Sequence, residues 1–303
     1  AVHACSVGSG LDRSAGKPHK EAFMKLNSHC MDCQIRKQEA KIQHFDDEDR
    51  KKEYMDAILH RFASPKEGDC VPSISTELKK YYCAFWGVPM EDFTQINKEY
   101  DQLMMDLEAD IYSSIKNTED PLLSALVYAR TGNYIDFAAL PEVSKEKALS
   151  LIQSENKDPL DKKEYQAFCH DMDKARSFVY ITDNCGEIVL DKIAIQFLKN
   201  RFPNVRITVL VRGLPAGNDA TMEDAQLCGL TQIVPVMGNG NDVGGTWLRG
   251  ISGQAKDLLY NADVILSKGQ GNYETLHGCG LNIYYLFLCK CDWFKHHFHA
   301  KPL

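Results

Sequence analysis

The stretch SFVYITDNCGEIVLDKIAIQFLKNRF, residues 177–202, decides the fold class. Its first six residues (177–182) are mostly β-branched or aromatic and read as a strand. The chain then turns through Asp183-Asn184-Cys185-Gly186-Glu187 and continues from Ile188 to Phe202 as a helix-length apolar segment. The same alternation recurs outward: VRITVLV (205–211), QIVPV (232–236), ADVILS (262–267) and NIYYLFL (282–288) read as strands, with crossover segments between them. Continuous apolar strands separated by helices imply a parallel sheet covered on both faces. The expected class is α/β, a Rossmann-like α/β/α domain.

Upstream of residue 175 the pattern is helical throughout. Ile42 and Phe45 lie on one stripe; Tyr54, Met55, Ile58, Leu59 and Phe62 form another, capped by Asp46 and Asp47. Further helices are expected from about Ser75 to Trp86, Met90 to Ser114, Asp120 to Arg130 and Ser144 to Ser154, with Gly132 and Asn133 stopping one of them. Residues 1–23 are Gly/Ser/Lys-rich and patternless, and Met24 is a candidate start. The expected division is therefore an irregular segment 1–23, an all-helical subdomain 24–174 and the α/β catalytic domain 175–303.

Composition narrows the function classes. The formal net charge of −7 lacks the basic excess of a nucleic-acid surface. No apolar run approaches the length needed to span a bilayer, about 20 residues, and no basic start followed by an apolar block marks a secretory signal. The expectation is a soluble, cytoplasmic protein whose 11 cysteines are reduced.

In an open parallel sheet, ligands bind beyond the carboxyl ends of the strands. That rule selects three loops: Asp183 to Glu187; Arg212 to Thr221, which holds Asn218 and Asp219; and Lys268 to Glu274. Asp183, Asn184 and Asp219 form a hard oxygen set suited to Mg²⁺ or Mn²⁺ rather than to tetrahedral zinc. Such an ion polarises a phosphoryl oxygen and activates water. Lys268 offers a point charge to phosphate, Gly269 and Gly271 allow backbone N–H groups close to an anion, and Arg212 is placed to assist. Taken singly, an Asp or Asn after a strand is more often a helix cap, and Lys268-Gly-Gln-Gly reads equally well as a surface turn. Their coincidence at one edge favours a site. Glu187 and Glu274 are alternative carboxylates for positioning the attacking water, and direct attack by Asp183 is a less favoured route.

Rival readings fail on spacing. Gly238, Gly240 and Val243, like Gly269, Gly271 and Glu274, miss the last glycine of the dinucleotide fingerprint. Neither a phosphate-binding P-loop nor a nucleophile elbow is present. Cys30 and Cys33 admit three readings: structural thiols, an accessory metal site completed by Cys289 and Cys291 or by the terminal histidines, or a redox pair.

At TDNCGE (182–187), RGLPAGNDAT (212–221) and SKGQGNYETL (267–276) the chain resembles the metal-dependent damage-control phosphatases. The resemblance extends to CMDC (30–33), INKEYDQL (96–103), DPLLSALVYARTGNYIDF (120–137) and YLFLCKC (285–291), nearly everything from Met24 to Cys291. It implies a Rossmann-like domain with a packed helical subdomain, and hydrolysis of small phosphorylated metabolites with Mn²⁺, Co²⁺, Ni²⁺ or Mg²⁺. It also implies that Asp183, Asn184 and Asp219 hold the metal and that Lys268 and Asn272 meet the substrate. It draws Asn133 and Asp136 toward the cleft. Asp101 stands where relatives usually carry Asn, and no role is assigned to it. The alternatives are an S-adenosylmethionine-dependent carboxyl methyltransferase, for which the acidic first turn is poorly suited, and a non-enzymatic phosphometabolite-binding protein.

Overall fold

The computed structural model describes residues 5–8, 24, 26–132 and 160–298. A six-stranded sheet forms its centre: β1 (Cys5–Gly8), β2 (Ser177–Ile181), β3 (Arg206–Val211), β4 (Val236–Gly238), β5 (Val264–Lys268) and β6 (Ile283–Phe287), in the order β1-β6-β5-β2-β3-β4. The five strands from β2 onward pair in parallel. The α/β class is as expected. β2 and β5 are central and almost wholly buried, which is why their sequences are apolar without alternation.

Two expectations need correction. Residues 1–23 are not all outside the fold, because β1 adds an edge strand antiparallel to β6. The strand expected at 232–236 lies at Val236–Gly238 instead. Gly229, at φ 77°, ends a helix and starts a 3₁₀ turn over Leu230–Gln232, so chain that reads as strand is spent on the turn.

Helices cover both faces. Among the described residues the first six are α1 (Ser28–Ile42), α2 (Glu48–Ala63), α3 (Val71–Trp86), α4 (Thr94–Lys116), α5 (Pro121–Gly132) and α6 (Lys162–Met172). The expected cap of α2 is Asp47, whose side chain accepts from Arg50 N at 2.9 Å. α3 begins earlier than expected, since Pro72 in its first turn suits a helix start. α4 begins later, because Asp92 accepts from Thr94 N at 2.9 Å and holds the chain in a non-helical turn. The helix expected at Ser144–Ser154 lies outside the described residues. The other five are α7 (Glu187–Arg201), α8 (Met222–Leu227), α9 (Gly253–Tyr260), α10 (Gln270–Leu276) and α11 (Asp292–His297).

Alternate residues of β2 divide the core. Phe178 and Tyr180 join α4, α5, α6 and α7 on one face. Val179 and Ile181 join α9, α10 and α11 on the other. α7 lies between the sheet and α4–α5 and is buried on nearly every side, which explains its lack of amphipathic contrast. A third cluster, with Tyr54, Ile58, Ile74, Leu78 and Trp86, belongs to α1–α3 alone. Packing therefore gives α4–α6 to the sheet layer and sets α1–α3 apart. Among the described residues, no helix is long and apolar enough to cross a membrane.

Candidate active site

The loops after β2, β3 and β5 converge at the carboxyl edge of the sheet. Asn184 and Asp219 form an isolated antiparallel bridge. Cys185 N donates to Asn218 O and Ala220 N donates to Asp183 O, both at 2.8 Å. The first two expected clusters are thus stitched together by backbone bonds. Gly269 packs directly against the Asp183 carboxylate: at φ 83° it leaves no room for a Cβ, which would overlap the carboxylate atoms. Asp183, Asn184, Asp219 and the Gly269 turn therefore stand together.

The electrostatics mark a crowd of carboxylates. Burial pushes the Asp219 carboxyl up to about 6; Arg212 opposes this and the charge of Asp183 adds to it. Burial likewise raises Glu187 to about 7 against the pull of Lys268, with Asp191 and Asp183 adding to the shift. Asn184 Nδ2 donates to Asp183 Oδ2 at 3.0 Å and to Glu187 Oε2 at 3.2 Å. Arg212 binds only Oδ2 of Asp219, at 2.6 Å, so Oδ1 stays outside that ion pair. Two carboxylates and an amide oxygen on facing loops fit a hard divalent cation, whose charge would relieve this repulsion. Among the described residues no group of three His, Cys, Asp or Glu side chains could hold a metal by itself. Asn184 is therefore integral to the candidate set.

Several expected substrate contacts are engaged internally. Lys268 was expected to offer free charge to phosphate, but it is fully buried. It is paired with Glu187, donates to Asp191 Oδ1 at 2.8 Å and donates to Ala129 O at 2.7 Å. Three partners use all three ammonium protons. Burial works against its charge, yet Asp191 and Glu187 raise it above the ordinary ammonium range. Tyr180 donates its hydroxyl to the same Asp191 oxygen at 2.6 Å. Asn272, also fully buried, gives Nδ2 to Thr182 O and Lys268 O at 3.0 and 2.7 Å and accepts from Thr246 Oγ1 at 2.7 Å. It clamps the β5 turn to the β2 turn. Gly269 N–H is taken by Leu286 O at 3.2 Å, and Gly271 is needed for close approach of Gly244. Arg212, paired with Asp219, also donates to Gly245 O. Asn218 is exposed beside Asp219. Asn133 and Asp136 lie outside the described residues.

Glu274 separates from Glu187. It sits on the face of α10 toward α1 and α3, with Lys37 as its nearby cation and Cys30 and Cys70 within its field. Gln270 Nε2 donates to it at 2.8 Å. It does not join the Asp183 cluster. Burial raises its carboxyl from an ordinary 4.5 to about 7. A raised folded-state value means that the protonated form favours folding; that contribution is complete below about pH 4.5 and is lost as pH rises through about 7. Glu274→Gln is expected to flatten this slope and to exceed the parent protein in stability at about pH 8 by roughly 2–3 kcal/mol, read by urea unfolding across pH.

Sequence reasoning passed over three features. Asp101 accepts from Gly186 N at 2.5 Å, bracing the turn after Asn184; burial and then the charge of Asp224 raise its carboxyl to about 8. The loop after β4, rejected as a nucleotide fingerprint, braces Gly213 through Asn239 Oδ1 at 2.8 Å. Its signal was its place after a strand. Third, a cleft of about 490 Å³ opens beside Asp219, lined by residues of the Gly213–Asp224 chain, of α3 and of the start of α4. A larger hollow of about 960 Å³ lies far from this edge, near Asp120 and Arg201, and shares none of these residues. We take the smaller cleft as the candidate site, since Asp219 lines it.

The family model of the damage-control phosphatase ARMT1-like domain matches residues 26–301. The chain is 32% identical over 170 residues to damage-control phosphatase PH1575 of Pyrococcus horikoshii, a match covering 55% of this chain and 58% of that protein. It is 26% identical over 282 residues to a damage-control phosphatase of Archaeoglobus fulgidus, covering 89% and 93%. It is 33% identical over 192 residues to the uncharacterized protein MJ0202 of Methanocaldococcus jannaschii, covering 60% and 62%. The crystal structure of a DUF89 family protein from Pyrococcus horikoshii superposes with a TM-score of 0.73 at 25% identity, covering 92% of this chain and 96% of that one.

Proposed function

The chain belongs to the damage-control phosphatase ARMT1-like domain family, and from that premise we propose that it hydrolyses phosphate monoesters of small metabolites with a divalent cation at the Asp183–Asn184–Asp219 edge. The observation that supports this reading is the backbone bridge that sets Asn184, the neighbour of Asp183, beside Asp219, the carboxylate that lines the cleft. Bound there, Mn²⁺, Co²⁺, Ni²⁺ or Mg²⁺ supplies Lewis acidity to a phosphoryl oxygen and to water.

The chain's own groups have distinct tasks. Arg212 fixes Asp219 through one oxygen, so that the other is outside this ion pair. Hydrolysis forms one P–O bond from water and breaks the ester P–O bond. The water gives a proton to a carboxylate, and the leaving oxygen gains one. Glu187 is the carboxylate we assign to that proton, since Asn184 and Lys268 hold it beside Asp183 whereas Glu274 faces elsewhere. Lys268 and Asn272 act as positioning residues, the first for Glu187 and Asp191, the second for the turn carrying Gly269.

Phosphate release from a panel of sugar and polyol phosphates, with each of the four ions and after chelation, tests the reading. Release that depends on an added ion supports it. Release unaffected by exhaustive chelation, or none with any ester and ion, contradicts it.

A further inference from the structure

We propose that Lys79 and Lys98 form a distal anion subsite in the cleft, so that the substrate is a phosphate monoester carrying a second anionic group, a carboxylate or another phosphate. This rests on the phosphatase reading of the same cleft. Asp219 lines this cleft, and so do Lys79 of α3 and Lys98 of α4. The volume of about 490 Å³ lies within the roughly 300–1,000 Å³ range of small-molecule sites, far more room than a bare phosphate needs.

The lysines of this cleft differ in how their charge is satisfied. Lys80 is committed to Asp242 at 2.6 Å. Lys79 is half-buried, with its ammonium 5.3 Å from the centre of the Phe93 ring, a contact that orients a cation without neutralising it. Lys98 feels the exposed Asp92. Among the described residues neither Lys79 nor Lys98 forms an ion pair. The first turn of the 23-residue helix α4 also borders the cleft through Thr94 and Asn97, adding the positive end of a helix dipole to it. Of the acidic groups that line the cleft, Asp219 is paired with Arg212 and Asp242 with Lys80, Asp224 accepts from Thr221 N and Oγ1, and Glu91, Asp92 and Glu223 stand exposed, where solvent screens them. Cations outside any ion pair in the same cleft as Asp219 suit a substrate charged at both ends.

Two matched pairs of esters test this: glucose 6-phosphate against 6-phosphogluconate, and glycerol 3-phosphate against 3-phosphoglycerate. Within each pair the added carboxylate is expected to raise kcat/KM by about 10-fold, through KM. In Lys79→Met/Lys98→Met that ratio should fall toward one, and in Lys79→Arg/Lys98→Arg it should persist. Circular dichroism melting confirms that each variant is folded. Ratios near one in the parent protein, or a preference surviving the methionine variant, overturn the subsite while leaving the phosphatase reading intact. No release from any of the four esters or from p-nitrophenyl phosphate removes that reading, and the subsite with it.

Discussion

Asp183→Ala is expected to lower kcat/KM on every hydrolysed ester by about three orders of magnitude and to abolish tight divalent-cation binding. The substitution removes the carboxylate seated against Gly269 while keeping the backbone bond from Ala220 N to Asp183 O. The connection between the β2 and β3 turns is thereby retained, and melting should change little. The charge of Asp183 also helps hold the Asp219 and Glu187 carboxyls up, so its removal lets both ionise more readily. Activity of the variant within tenfold of the parent, with cation affinity unchanged, would show that the oxygen set lies elsewhere.

The second large effect concerns stability. Lys268→Met leaves Glu187 and Asp191 buried without their shared cation. Breaking one side of a buried ion network typically costs about 3–5 kcal/mol, which corresponds to a melting temperature lower by roughly 10 °C. Tyr180 still donates to Asp191, which softens the loss without cancelling it. Combining the change with Glu187→Gln should recover part of the stability, because one uncompensated charge disappears with it. A folded Lys268→Met protein that loses less than about 1 kcal/mol while losing substrate affinity would instead restore Lys268 to the role of phosphate ligand.

These outcomes bear on what could be read from residues alone. β2 and β5 were legible because a strand buried on both faces has an apolar run with no competing interpretation. The meeting of the Asp183 and Asp219 loops was legible because the loops after parallel strands gather at one edge of such a sheet. α6 was not anticipated: only Phe168 and Met172 of that helix are buried, so its apolar stripe is thin. Its capping signal was nonetheless present, for Asp161 accepts from Lys163 N and Glu164 N at 2.8 and 3.1 Å. The partners of Lys268 were beyond reach, because Asp191 lies a helical turn inside α7 and Ala129 at the end of α5, and nothing local couples them to residue 268. Asp101 is a similar case, since its bond to Gly186 spans 85 residues. The cleft wall was hidden for a different reason. Lys79 and Lys98 read as ordinary solvated helix residues until the fold brings them to the cleft that Asp219 lines.

The central claim is a single cation site built by residues 183, 184 and 219. Calorimetric titration of the metal-stripped protein with Mn²⁺ measures it most directly. The account predicts one saturable site per chain that is lost in both Asp183→Ala and Asp219→Ala and retained in Glu274→Gln. Equal Mn²⁺ affinity in all three variants would contradict it.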